Sequence, residues 1–304
     1  MTSPAVETGR LSRTQWLELA RLHDERAGRH AKAALERRSR GRKHAVEDFL
    51  FTYYSFPPGR LRQWLPPLGV TLEVEDTDLD RFRSVKPEWL ESGNGEVRLR
   101  AGSLPERTRE LAGWVAYLCD RVLERPAQFR CHGLHEWAMV YGQSQEEVRH
   151  SGHSLRLPPA ELRAFVDSRT LCCTHYDAFR FFTAEAAPRN VFQPKLETRP
   201  ELEQGGCLHA NMDLYKWSAK LWPWIGSDLV GRAFDFARAG RALDMRASPY
   251  DLSALGYDPV RVETAEGRRE YESLQRELAA RARELRVELA QAARRMAAAV
   301  SRRC

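Results

Sequence analysis

No stretch of this sequence is apolar for long enough to cross a bilayer. Runs such as Phe49–Leu50–Phe51 are soon broken by polar residues, whereas a spanning helix needs about 20 apolar positions. The segment MTSPAVETGRLSRTQW has no apolar core of the kind a secretory signal carries. The six cysteines (Cys119, Cys131, Cys172, Cys173, Cys207 and Cys304) include no C-x-x-C pair, which excludes a zinc ribbon and a thioredoxin-like motif. Free thiols in a reducing compartment are the plain reading. Internal repeats and low-complexity tracts are also lacking. These absences lead us to expect a cytoplasmic protein without a membrane partner; the oligomeric state stays open.

What is present is ordinary in bulk and uneven in placement. Of 304 residues, 42% are hydrophobic and 30% charged, as in a folded globular protein. The formal charge is +6, yet residues 1–43 hold eleven Arg and Lys against five Asp and Glu, and residues 266–304 hold ten against six. Local charges of +6 and +4 at the ends leave the middle at −4. Basic ends can attract DNA. They can also be solvated helix faces, since aromatics are not interleaved among them.

The patterning predicts a mainly α fold: one large helical domain, a small hairpin-like β accessory and a long C-terminal helix. Ser12, with Gln15 three residues on, is placed to cap a first helix. Residues 1–43 read as a basic helix or arm. Residues 44–264 read as the helical core. In it VTLEVE (70–75) and EVRLR (96–100) alternate as strands do, with Gly93–Asn94–Gly95 between them. Leu111, Val115, Leu118 and Val122 mark an amphipathic helix over 106–124. Further helical segments are expected at 134–142, 159–168, 175–184, 208–222 and 227–243, with an irregular stretch over 245–264. Residues 265–304 read as a long basic helix packed on the core through Tyr271, Leu274, Leu278, Leu285 and Leu289.

Four places join histidine to a carboxylate. His44/Asp48 and His209/Asp213 share the spacing H-x-x-x-D, which on a helix sets both side chains on one face. His132-Gly-Leu-His135-Glu136 offers two imidazoles and an acid, and His175-Tyr-Asp177 a closer pair. Such donors suit a metal, and helices can present them to one ion. H-E-x-x-H does not occur, and the 132–136 run reverses the E-x-x-H order of helical di-iron sites. Asp244-Met-Arg246 and Asp251 could add ligands or tie down the irregular segment. Each pair alone is more often a hydrogen-bonded core histidine with a capping acid. Four together make at least one functional cluster an even proposition.

Aromatics flank the pairs: Trp137 and Tyr141 after Glu136, Phe179, Phe181 and Phe182 after Asp177, Tyr215 and Trp217 after Asp213. They could stack a planar ligand, although core packing is their commoner use. Arg180 among phenylalanines calls for a carboxylate or phosphate partner. Lys216 adds positive charge beside Trp217.

The runs GLHEWAMVYG (133–142), LRLPPAELRAFVDSR (155–169), THYDAFRFFT (174–183), GCLHANMDLYKW (206–217) and LDMRASPYDLSALGYDPVRVET (243–264) resemble a group of bacterial, chiefly actinobacterial, proteins. These carry the name 3-methyladenine DNA glycosylase, and the resemblance covers about residues 44–280. It implies a DNA-repair hydrolase that removes alkylated bases. Asp213 or Asp177, with Glu136 a further acid, would activate water, assisted by His209 and His175. Trp137, Tyr141 and Trp217 would wall the base, with Arg180 and Lys216 in the substrate site. The L-P-G-[VI]-G turn of helix-hairpin-helix glycosylases is absent, and Pro158–Pro159 is no substitute.

Three readings therefore stand before the structure. The first is this nucleobase-directed hydrolase. The second is a metal- or haem-dependent helical oxidoreductase, with iron, manganese, zinc or haem held from among His44, Asp48, His135, His175, His209 and Asp213. The third is a non-enzymatic protein binding nucleic acid through its basic ends. Convergence of several ligands on one centre would favour metal; an aromatic slot with one acid would favour base chemistry.

Overall fold

The computed structural model describes residues 9–83 and 85–299. Among these the chain is mainly α, with twelve α-helices and one four-stranded sheet. The amphipathic pattern of 106–124 becomes the helix Glu106–Glu124, and the last helix runs Ala265–Ala298. No helix among the described residues is long and apolar enough to cross a membrane.

Two compact units divide the chain. The first takes the described residues through Cys119, Leu214–Phe236 and the described residues from Val287; the second takes Asp120–Asp213 and Ala237–Arg286. Boundaries at 43/44 and 264/265, read from composition, do not coincide with these. Composition changes along the chain, whereas each unit gathers segments far apart in sequence.

In the first unit the strands are β1 (Gly9–Leu11), β2 (Val70–Glu73), β3 (Leu90–Gly93) and β4 (Glu96–Leu99), in the order β1-β2-β4-β3. The two segments with strand-like alternation do pair, antiparallel, with Leu72 opposite Val97. The tight turn, however, joins β3 to β4 through Asn94 and Gly95, both with positive φ, as an Asn-Gly hairpin turn requires. β1 adds in parallel beside β2, so the chain from Gly9 onward belongs with the sheet and is not a separate arm. Ser12 caps the helix Arg13–His23 in a full capping box: its N–H donates to Gln15 Oε1 at 2.9 Å, and the Gln15 N–H to Ser12 Oγ at 3.4 Å. Trp16 from that helix packs on Leu65, Val70, Leu72, Phe82 and Val97, and its indole N–H donates to the Glu73 carbonyl at 2.7 Å. Residues 29–39 form a helix that buries Ala31 and Ala34 and leaves Arg29 and Arg38 exposed.

The second unit is built from short helices and ordered loops. Leu134–Ala138, Pro159–Asp167, Tyr176–Phe179 and Arg199–Leu202 join parts of the longer helices Leu208–Leu221, Ser227–Ala247 and Ala265–Ala298. The helices expected over 134–142 and 175–184 are thus much shorter. The backbone of the second is drawn into long-range bonds instead, with Thr183 N–H donating to the Ala138 carbonyl at 3.2 Å. Asn190 exchanges hydrogen bonds with both backbone groups of Cys173, at 2.7 and 2.9 Å, and so holds the extended stretch before His175. Gly133 enters the helix Leu134–Ala138 at φ +74°, where a Cβ would stand 3.1 Å from Ala247 Cβ. Only glycine meets both demands without strain.

Candidate metal centre

Two groups of buried donors lie within the second unit. The first joins His135 and Glu136 to His209 and Asp244; the second joins His175 to Glu203 and Asp213. Within each group the ligand atoms lie within 4.8 Å of one another, and every member is buried. The groups adjoin through His209, whose ring lies 4.5 Å from that of His135, edge to face, and 5.6 Å from that of His175, stacked.

In the first group His135 Nε2 is 2.7 Å from Asp244 Oδ1, and His209 Nε2 is 3.8 Å from Asp244 Oδ2. Arg241, one helical turn before Asp244, donates to Asp244 Oδ2 at 2.9 Å and to Glu136 Oε1 at 3.3 Å. The other nitrogen of His135, Nδ1, is 3.2 Å from Cys131 Sγ. In the second group His175 caps the helix Tyr176–Phe179, its Nδ1 accepting from the Ala178 N–H at 3.3 Å. With Nδ1 turned to the backbone, Nε2 is the nitrogen that faces Asp213 Oδ2 at 3.2 Å and Glu203 Oε1 at 3.6 Å. Arg199 bonds Glu203 at 3.1 Å, Asp213 at 3.5 Å and Asp177. Each group thus holds its own arginine.

Burial shapes the charge states. It drives the His209 imidazole down to about 3, leaving a neutral ring. Burial, and after it the charge on Asp244, lifts the Glu136 carboxyl to about 7. Burial also opposes the charge on Asp244, but the His209 and His135 imidazoles and Arg241 hold its carboxyl far below the usual range. For His135, burial alone would lower the pKa; Cys131 and Asp244 raise it well above the ordinary value. The neutral imidazole of His209 and the ionised carboxylate of Asp244 are donors of the kind that hard and borderline divalent ions take.

Of the residues singled out from sequence, His135, Glu136, His175, Asp177, His209 and Asp213 come together in this unit. His44 and Asp48 belong to the first unit and do not form a helical i, i+4 pair. His44 Nδ1 accepts from the N–H groups of Val46 and Glu47 at 3.3 and 3.2 Å, while Asp48 accepts from the His44 N–H at 2.9 Å and pairs with Arg37. They organise a turn. Trp137 is fully buried, donates its indole N–H to the Ala247 carbonyl at 2.9 Å and meets Phe165 edge to face. Tyr141 donates to Asp167 at 2.6 Å. Neither forms an open slot. Arg180 pairs with Asp177 at 3.6 Å and lies over the Phe181 ring. Lys216 and Trp217 belong to the first unit, where Trp217 meets Trp114 edge to face. Asp251 is exposed and bonds Ser253, tying the loop.

Sequence reading missed Glu203, Arg199 and Arg241, and placed Asp244 at the edge of an irregular segment; it is a helical residue at 0% exposure. The signal available was Arg199/Glu203 four apart and Arg241/Asp244 three apart, spacings that put an arginine and an acid on one helix face.

No protein-family model matches this chain. No match is found among curated proteins, and none among solved structures.

Proposed function

We propose that this chain is a metal-dependent enzyme whose centre is held by His135, Glu136, His209 and Asp244, with His175, Glu203 and Asp213 as an adjoining donor group. The observation that carries this reading is the convergence of the seven buried donors in two groups whose ligand atoms lie within 4.8 Å. Burying ionisable groups costs several kcal/mol each unless they are paired or bind a metal. Arg241 and Arg199 offset part of that cost, and a cation held by the donors would offset the rest. The nitrogen and oxygen donors suit iron, manganese or zinc. A haem finds less support, because the cavity beside His135 and His209 is about 20 Å³.

Base excision, implied by the resemblance, has less to support it. Asp177 and Asp213 are bound to Arg199, and Trp137 and Tyr141 are spent on core contacts. Nucleic-acid binding rests on net charge alone, and several basic side chains near the ends already pair with acids, among them Arg21, Arg37, Arg269 and Arg276.

The test is elemental analysis of untagged protein, alongside His209→Ala and Asp244→Asn proteins. The reading expects iron, manganese or zinc at one or two ions per chain, lost in both variants. Protein that folds, stays metal-free and takes up none of the three ions on dialysis would overturn it.

A further inference from the structure

In the second unit three arginines from distant segments border one open cavity of about 320 Å³. Arg130 precedes the helix Leu134–Ala138, Arg169 follows the helix Pro159–Asp167, and Arg268 lies in the first turn of Ala265–Ala298. No acid borders this cavity. Among the described residues no carboxylate lies within ion-pair distance of the three guanidinium groups. The acids close to Arg268 in the chain are taken by other arginines: Glu263 by Arg156 at 2.7 Å, Glu266 by Arg269 at 2.8 Å, Glu270 by Arg246 at 3.5 Å and Glu272 by Arg276 at 2.7 Å. In a chain whose arginines are so often paired, this cavity collects three that are not.

The cavity is also organised. Arg268 Nη1 donates to the carbonyls of Val262 at 2.9 Å and Glu263 at 3.2 Å, which fixes the guanidinium and leaves Nε and Nη2 for a ligand. Arg169 lies over the Phe165 ring at 5.7 Å. Burial first, and next the charge on Arg169, lowers the Arg268 guanidinium from its ordinary value. A cation in the first turn of a long helix also opposes the helix dipole, whose N-terminal end favours anions. An anion among the three arginines relieves both conflicts. The rest of the wall includes the Thr170 hydroxyl and two apolar side chains, Phe192 and Val191, the latter 62% exposed.

We propose that this cavity binds a small organic phosphate, its phosphoryl group among Arg130, Arg169 and Arg268 and its carbon part against Val191 and Phe192. The guanidinium fork matches phosphate oxygens two at a time, and a dianion offsets more of the triple positive charge than a carboxylate does. The volume lies at the low end of the roughly 300–1,000 Å³ of small-molecule sites, which suits one phosphoryl group with a short carbon skeleton. Binding here needs no ion at the neighbouring donor groups, so the proposal stands apart from the metal reading.

Phenyl phosphate and inorganic phosphate are the probes, titrated calorimetrically into full-length protein. The variants are Arg130→Gln, Arg169→Gln and, as a control outside the cavity, Arg38→Gln. All three arginines are exposed, so the fold should persist, checked by circular dichroism. Phenyl phosphate should bind wild type and Arg38→Gln alike, more tightly than inorganic phosphate does, and about tenfold more weakly to each cavity variant. No binding to folded wild type, or equal binding in all four proteins, overturns the proposal. Equal affinity for the two probes overturns the assignment of a carbon part. A short DNA duplex that needs Arg130 and Arg169 while phenyl phosphate fails to bind would give these arginines to a nucleic-acid backbone and also overturn it. None of these outcomes depends on metal content, which is measured separately.

Discussion

His135 Nε2 lies 2.7 Å from Asp244 Oδ1, although 109 residues separate the two in sequence. The contact ties the short helix Leu134–Ala138 to the C-terminal part of the helix Ser227–Ala247. Asp244 also receives Arg241 and faces His209, so one fully buried carboxylate serves three partners. Removing its charge strands them. Asp244→Asn should lower the unfolding free energy of the metal-free protein by about 3 kcal/mol or more, the range for breaking a buried pair from one side. Urea denaturation measures this. A variant as stable as wild type would show that Asp244 does not organise the centre.

Glu136 gives the centre a distinctive pH response. Its carboxyl is raised from 4.5 to about 7, by burial first and then by the charge on Asp244. A raised folded-state pKa means that the folded protein holds a proton the unfolded chain has released between those values. The contribution to stability is complete below pH 4.5 and is lost as pH rises through about 7. In Glu136→Gln that dependence disappears. The stability of wild type minus that of the variant, without metal, should fall between pH 4.5 and 7 with a slope approaching ~1.4 kcal/mol per unit. Parallel stability curves for the two proteins would contradict the assignment.

How far the site was legible in the sequence follows from these same residues. His135–Glu136, His175–Asp177 and His209–Asp213 were visible because each joins an imidazole to an acid within a few positions. Glu203 has no histidine within four positions in the chain and reaches His175 only through the fold. Asp244 had to cross 109 positions to find His135. The spacing of His44 and Asp48 equals that of His209 and Asp213, yet only the latter pair is helical. Spacing defines a shared face only once the local structure is known. The long helices were legible from periodicity, the four-residue helix Tyr176–Phe179 less so, because it depends on the His175 cap.

Gly133 is a backbone requirement of the centre. At φ +74° any other residue is strained by about 1–2 kcal/mol, and an added Cβ would lie 3.1 Å from Ala247 Cβ. Relief by moving the chain displaces His135, two residues on. Gly133→Ala should therefore lower both thermal stability and metal affinity, read by calorimetry and by competition with a chromogenic chelator. Unchanged affinity with reduced stability would mean that the helix carrying His135 absorbs the strain.

Trp137 separates the metal reading from base excision. A base-stacking tryptophan presents a ring face to its ligand, and its loss weakens DNA binding more than folding. Here the side chain is fully buried, bonds the Ala247 carbonyl at 2.9 Å, meets Phe165 at 4.8 Å and carries Arg156 over its ring at 5.2 Å. Trp137→Phe keeps most of the apolar contact and loses the indole N–H, leaving the Ala247 carbonyl without its donor. It should cost about 1–3 kcal/mol of stability. Trp137→Ala should cost about 3–5 kcal/mol by opening a cavity. Measured by urea denaturation alongside binding to alkylated duplex DNA, both variants should lose stability in that order. A Trp137→Phe protein of wild-type stability with sharply weakened DNA binding would return the residue to a base pocket.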